Sequence, residues 1–201
     1  MSVAVRLYVG AGGDAPEWAA KGWLCNDLEA AAALYAPHIQ LIGPCWKLDV
    51  ADNSVDELMA KGMLEHLTYH EVDNALAEWK RVLRPDGFVT IEVPDLLEYF
   101  RQYALMTQHP ELHAGEGVGG TDSEPQDFEV CNGPGRWLRR ALYGWQRYPG
   151  DEHRSGWTED LLRFYLRKLS SRYEIRHMAY GFDEDDPNAK MRHLWARGWK
   201  E

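Results

Sequence analysis

The chain has 201 residues, a length that suits one domain with a core of its own. Its net charge of −10 argues against a general electrostatic affinity for nucleic acid. The three cysteines form neither a disulfide framework nor a zinc motif, and no apolar run is long enough to cross a membrane. The composition therefore predicts a single cytoplasmic domain over residues 1–201, without a nucleic-acid or membrane partner. It says nothing about the oligomeric state.

The first half of the chain alternates short apolar segments with helical ones. The predicted strands are residues 3–9, 23–27, 39–42, 55–63 and 88–93. The clearest helix follows Thr68, which forms a capping box with Glu71 and precedes apolar residues spaced three or four apart. Pro85-Asp86-Gly87 is predicted to end this helix. Strands that alternate with helices favour a mostly parallel sheet with helices on both faces.

The second half of the chain breaks this alternation. Residues 108–156 are long for a connection, and we interpret them as a lid over an acceptor site. A helix is predicted to begin at Thr158. Residues 173–180 and 192–199 then predict two antiparallel strands at the edge of the sheet.

A glycine-rich turn at residues 10–13 follows the first strand, and Asp27 ends the second strand. Glycines at a strand end allow close approach of the backbone to a ligand, and an acidic side chain there can bind both hydroxyls of a ribose. The third glycine of the dinucleotide fingerprint is replaced by Ala15, which favours a ligand without phosphates. The alternative is a turn that only connects strand and helix.

Several separated motifs resemble those of the class I S-adenosylmethionine-dependent methyltransferases. They are Val9-Gly10-Ala11-Gly12-Gly13, Asp27, Leu48-Asp49, Met63-Leu64-Glu65-His66-Leu67, the stretch 79–88, and His153-Arg154-Ser155-Gly156-Trp157-Thr158. The resemblance covers residues 3–95 closely and 143–199 more loosely. It is greatest to a branch of small predicted methyltransferases.

The resemblance implies a Rossmann-like three-layer α/β sandwich, with a seven-stranded, mostly parallel sheet, a reversed C-terminal edge strand and a lid insertion. It implies S-adenosyl-L-methionine as the cofactor, with Asp27 on the ribose and Asp49 at the adenine amino group. The predicted cofactor-binding residues are Val9, Gly10, Ala11, Gly12, Asp27, Leu28, Asp49, Val50, Gly62 and Met63.

Two histidines are the candidate catalytic residues. His66 follows the fourth strand, where the resemblance places the methyl group, and His153 lies in the predicted lid. Either could act as a general base, since histidine titrates near neutral pH. Either could also be structural, and Glu65 is the weaker candidate base. His109 and His113 lack nearby cysteines or grouped acids, so no metal is predicted.

The sequence thus predicts a methyltransferase that acts on a small-molecule or saccharide-like acceptor. One alternative is a non-catalytic S-adenosylmethionine-binding protein that uses the lid for partner contacts. Another is a nicotinamide-dependent oxidoreductase, which the missing third glycine disfavours.

Overall fold

A computed structural model describes residues 4–109, 134–144, 146, 148–179 and 192–201. Within these ranges the chain forms seven strands and six α-helices. The strands are β1 (Arg6–Val9), β2 (Leu24–Asp27), β3 (Leu41–Ile42), β4 (Val55–Lys61), β5 (Leu83–Pro94), β6 (Tyr173–Ala179) and β7 (Arg192–Trp199). The helices are α1 (Ala15–Ala20), α2 (Glu29–Tyr35), α3 (Tyr69–Val82), α4 (Leu96–Gln108), α5 (Pro134–Tyr143) and α6 (Glu159–Leu169).

All seven strands belong to one sheet with the order β3-β2-β1-β4-β5-β7-β6. Strands β1 to β5 pair in parallel, whereas β7 pairs antiparallel with both β5 and β6. The reversed strand β7 therefore lies one place in from the edge. This sheet with its flanking helices confirms the predicted Rossmann-like fold.

Apolar side chains cover both faces of the sheet because they alternate along the central strands. Leu7 and Val9 of β1 share one buried cluster with Trp79 of α3 and Leu166 of α6. Tyr8 points to the opposite face, where residues of α1 and α2 surround it. Helices on both faces leave the strand ends as the open edge on which a ligand site can form.

Helix α3 begins with the predicted capping box. The Thr68 hydroxyl accepts a hydrogen bond from the Glu71 amide, and the Glu71 carboxylate accepts one from the Thr68 amide. The fully buried indole of Trp79 donates a hydrogen bond to the Cys45 carbonyl oxygen over 3.1 Å. Helix α3 thereby fixes the loop that follows β3, next to the site described below.

The end of α3 differs from the prediction. The helix ends at Val82, and Leu83 is already extended and paired with Val55, so β5 includes Pro85-Asp86-Gly87. The register between β4 and β5 shifts at Val55 and Glu57, and this shift accommodates the turn-forming residues. Leu83 pairs with Val55 before this turn, and local sequence does not show that pairing.

No helix in the described part of the chain has the length and apolarity needed to cross a membrane. Much of the predicted lid, residues 110–133 together with 145 and 147, lies outside the described residues. The remaining lid residues include α5 and the segment 148–156, which borders the site.

Candidate active site

The glycine-rich turn connects β1 to α1. Gly10 and Gly12 have φ angles of +66° and +45°, a region that favours glycine. The Ala11 amide donates to the Asn26 carbonyl oxygen over 3.1 Å, which ties the turn to β2. A Cβ atom on Gly10 would lie 2.2 Å from Met63 Cγ. The turn after β1 and the residue that follows β4 are thus in close contact.

This close contact predicts the effect of adding one methyl group. We expect Gly10→Ala to lower the free energy of unfolding by about 1–3 kcal/mol, because of its positive φ and the contact with Met63. Gly135→Ala is the matched control, since a Cβ atom there meets open space. Urea denaturation measures both. An unchanged midpoint for Gly10→Ala would contradict this account of the turn.

Asp27 joins the turn to the end of β2. The Asp27 Oδ2 atom accepts a hydrogen bond from the Gly12 amide over 2.7 Å. The Oδ1 atom accepts one from the Leu28 amide, also over 2.7 Å. Burial raises the pKa of Asp27, while these two hydrogen bonds oppose the rise. A carboxylate offers about four lone-pair sites. Asp27 can therefore hold the turn and still accept hydrogen bonds from a ligand's hydroxyl groups.

A cavity of about 490 Å³ lies over this turn and the carboxyl ends of the strands. Seven of the ten predicted cofactor-binding residues line it. They are Gly10, Ala11, Gly12, Asp27, Leu28, Gly62 and Met63. Val9 is fully buried in the core instead, and neither Asp49 nor Val50 lines the cavity.

The loop after β3 contributes residues that the sequence did not single out. Gly43, Cys45 and Trp46 line the cavity, whereas Asp49 is exposed. Their position directly after a predicted strand could have identified them, because parallel sheets bind ligands at the carboxyl ends of their strands. Tyr148, Asp151 and Arg154 also line the cavity, from the far end of the predicted lid. Arg154 belongs to the motif that begins at His153, whereas no local pattern marks Tyr148 or Asp151.

A second cavity, of about 280 Å³, lies beside the first. Aromatic side chains form much of its wall, namely those of Tyr69, Tyr99, Tyr143 and Trp157. Arg154 lines both cavities, and its guanidinium pairs with the Glu71 carboxylate over 3.0 Å. The two cavities are therefore neighbours that share a charge-paired arginine.

The two candidate catalytic histidines lie at the junction of the cavities. His66 lines the larger cavity and His153 the smaller one, and their rings meet nearly edge to face with centroids 5.0 Å apart. Their Nδ1 atoms lie 3.2 Å and 3.0 Å from the carbonyl oxygens of Glu152 and Ala141. Because a carbonyl oxygen only accepts, each Nδ1 carries the proton and each Nε2 the lone pair.

Burial lowers the pKa of both histidines, that of His153 to about 4, so both rings are neutral at neutral pH. The neighbouring Glu65 is 4% exposed, and its Oε2 has no hydrogen-bond partner among the described residues. Burial raises the pKa of Glu65 to about 8, so the carboxyl group is mainly protonated at neutral pH. Its backbone oxygen accepts hydrogen bonds from the amides of Arg154 and Ser155.

Glu65, His66 and His153 are also the described residues whose possible metal-ligand atoms come together, all within 4.8 Å of one another. His109 is not part of this group, and His113 lies outside the described residues.

The absence of a metal remains a prediction, and chelation tests it. A protonated carboxyl group is a poor metal ligand, and Glu65 is mainly protonated at neutral pH. We therefore expect dialysis against EDTA to leave both S-adenosylhomocysteine affinity and methyl transfer unchanged. Loss of either one after dialysis, with recovery on adding Zn²⁺, would show that a metal is needed.

The glycine turn, Asp27 at the end of β2 and the reversed strand β7 together define the class I methyltransferase fold. Similar solved structures include S-adenosylmethionine-dependent methyltransferases. One is an S-adenosylmethionine-dependent methyltransferase from Thermotoga maritima, with 13% identity and a TM-score of 0.60 over 100% of this chain and 84% of that chain. Another, from Methanosarcina mazei, has 16% identity and a TM-score of 0.53 over 100% and 94%.

A third similar structure is the 1,6-didemethyltoxoflavin-N1-methyltransferase of Burkholderia thailandensis, with bound 1,6-didemethyltoxoflavin and S-adenosylhomocysteine. It has 16% identity and a TM-score of 0.52 over 98% of this chain and 71% of that chain. Residues 10–91 match the family model described as a methyltransferase domain. No curated protein sequence matches the chain.

The family match and the structural neighbours confirm the resemblance to class I S-adenosylmethionine-dependent methyltransferases. They also indicate S-adenosyl-L-methionine as the cofactor. The matched stretch contains the glycine turn, Asp27 and His66, all of which line the larger cavity.

Proposed function

We propose that this protein transfers the methyl group of S-adenosylmethionine to a small-molecule acceptor. The observation that carries the proposal is the pair of neighbouring cavities that meet at His66 and His153. The larger cavity is assigned to the cofactor and the smaller one to the acceptor. A saccharide-like acceptor is included, because sugar rings also pack on aromatic side chains.

The cofactor is assigned by the chemistry of the lining residues. Asp27 would hold the ribose hydroxyls, and the backbone of Gly10, Gly12 and Gly62 would border the amino-acid part. Trp46 offers a flat aromatic surface for the adenine on the side of β3. Asp49 was predicted to bind the adenine amino group, but it would have to move to reach the cavity.

Methyl transfer is an in-line displacement in which the cofactor supplies the electrophile. The protein contributes alignment and exclusion of water. The Nε2 lone pairs of His66 and His153 can accept hydrogen bonds from an acceptor at this junction, and His66 is the proposed proton acceptor because the pKa of His153 is lowered to about 4. The residues from 148 to 156 close this junction as the described part of a lid.

The alternative of a cofactor-binding protein without transferase activity is less well supported. Such a protein would need no second cavity beside the cofactor. The aromatic wall and the paired histidines have an evident purpose only if an acceptor binds there.

Calorimetric titration with S-adenosylhomocysteine and, separately, with NAD tests the proposed function. We expect micromolar binding of S-adenosylhomocysteine and no binding of NAD. A panel of amines, alcohols and phenols with labelled S-adenosylmethionine then tests for transfer. Binding of NAD alone would replace the proposal with the oxidoreductase alternative, and cofactor binding without transfer to any acceptor would favour the non-catalytic alternative.

A further inference from the structure

We propose that Lys61 and Asp14 bind the amino-acid part of S-adenosylmethionine, with the Lys61 ammonium on its carboxylate and the Asp14 carboxylate on its ammonium. The inference rests on the proposed function, because it assumes that the cofactor occupies the larger cavity. It goes further by assigning two charged side chains to a part of the cofactor that the glycine backbone alone would otherwise border.

Lys61 and Asp14 meet where two neighbouring strands end. Lys61 is the last residue of β4, and Asp14 lies between the glycine turn after β1 and the start of α1. The Lys61 Nζ atom lies 3.3 Å from Asp14 Oδ2, which also accepts a hydrogen bond from the Tyr8 hydroxyl over 3.0 Å. Both charged residues line the larger cavity. The pair is thus held in place by contacts within the fold and borders the assigned cofactor site.

The order of the strand ends matches the order of the cofactor's parts. Trp46 follows β3, Asp27 ends β2, and Lys61 ends β4 on the other side of β1. With the adenine beside Trp46 and the ribose on Asp27, the rest of the cofactor continues past the glycine turn. The amino-acid part, which is joined to the ribose through the sulfur atom, then reaches Lys61 and Asp14.

The charges of the pair are complementary to those of an amino acid. The α-carbon of S-adenosylmethionine carries one ammonium and one carboxylate group, and the pair presents one charge of each sign. Hydrogen bonds between ionised groups are the stronger ones in proteins. A lysine ammonium has three donors and a carboxylate about four lone-pair sites, so each group can contact the ligand without leaving its partner.

A carboxylate in this cavity needs a positive partner. Three acidic residues of the described chain line the cavity, namely Asp14, Asp27 and Asp151. The described lining contains two lysine or arginine residues, and one of them, Arg154, belongs to the segment 148–156 and pairs with Glu71 over 3.0 Å. Lys61 is therefore the cation beside the glycine turn that can offset the charge of the cofactor's carboxylate.

Three nucleosides, titrated into the full chain by calorimetry, test the two halves of the pair. S-adenosylhomocysteine carries the whole amino-acid part, 5′-methylthioadenosine lacks it, and the deamino analogue of S-adenosylhomocysteine lacks only the α-amino group. We expect the wild type to bind S-adenosylhomocysteine at least about tenfold more tightly than either of the other two.

Lys61→Met should weaken the binding of S-adenosylhomocysteine by at least about tenfold and leave that of 5′-methylthioadenosine unchanged, because the latter has no carboxylate. Asp14→Asn should remove most of the preference for S-adenosylhomocysteine over the deamino analogue, because both of these ligands keep the carboxylate. Lys80→Met is the matched control. Lys80 is exposed on α3 and lines neither cavity, so this variant should bind all three nucleosides as the wild type does.

Each other outcome has a distinct meaning. The pair would have only a structural role if the wild type did not prefer S-adenosylhomocysteine over 5′-methylthioadenosine, or if Lys61→Met kept that preference. The role of Asp14 would be wrong if Asp14→Asn still discriminated against the deamino analogue. Failure of the wild type to bind any of the three nucleosides would instead contradict the proposed function itself. If Lys61→Met is unfolded by circular dichroism, Lys61→Gln takes its place with the same expected result.

Discussion

Replacing His66 with alanine is expected to lower turnover by about 10²–10⁴-fold, the range typical of a lost acid–base or positioning group. His66 contacts both the Glu152 carbonyl oxygen and the ring of His153, so its loss disturbs the junction between the cavities. The affinity for S-adenosylhomocysteine should change little, because Asp27 and the glycine turn remain. Product formation with the best acceptor from the panel measures turnover, and calorimetry measures affinity.

His70→Ala is the matched control for this experiment. His70 is exposed on α3 and lines neither cavity, so its replacement should leave turnover and affinity as they are in the wild type. If His66→Ala turns over as fast as His70→Ala, His66 has only a structural role. A parallel loss of turnover and cofactor affinity would place His66 in the binding of the cofactor rather than in the reaction.

Replacing Asp27 with alanine is expected to weaken S-adenosylhomocysteine binding by about 1–3 kcal/mol, roughly five- to 150-fold in Kd. The change removes the proposed partner of the ribose hydroxyls. It also removes the acceptor of the Gly12 and Leu28 amides, which hold the turn in place. Calorimetry of the variant against wild type measures the loss.

Asp73→Ala controls for the loss of one negative charge, because Asp73 is exposed on α3 and lines neither cavity. Its Kd should match that of the wild type. Asp27→Asn keeps an oxygen acceptor, so its Kd should fall between those of the wild type and Asp27→Ala. An unchanged Kd in Asp27→Ala would remove Asp27 from the cofactor site, and a urea midpoint far below wild type would show that the turn itself had collapsed.

The fold could be predicted because its signals are local. The capping box at Thr68 and the regular apolar spacing of α3 are short-range patterns, and the structure contains both. The turn at Gly10 and the acid at Asp27 end adjacent parallel strands, so their convergence follows from strand order. The end of α3 was wrong because pairing of Leu83 with Val55 depends on a residue 28 positions away.

The side of the larger cavity next to β3 was harder to predict. Strand β3 ends at Ile42, and the cavity is lined by Gly43, Cys45 and Trp46 directly after it. Further along, the loop is drawn toward α3 instead, where the Val50 carbonyl oxygen accepts a hydrogen bond from Arg81 over 2.9 Å. Sequence spacing alone could not show which part of this loop faces the cavity.

The pairing of the two histidines was also beyond the sequence. His66 and His153 were singled out separately, one after a strand and one in the predicted lid. Their contact depends on backbone hydrogen bonds from Arg154 and Ser155 to Glu65, which join segments almost 90 positions apart. Such long-range contacts leave no periodic signal.

In the proposed function, the wall shared by the cofactor cavity and the acceptor cavity couples the two binding equilibria. Arg154 lines both cavities, and the ring of His66 in the larger cavity contacts the ring of His153 in the smaller one. An acceptor that shifts these rings must alter cofactor affinity, and the cofactor must alter acceptor affinity by the same factor. Enlarging the acceptor cavity to admit new substrates will therefore also change product inhibition by S-adenosylhomocysteine.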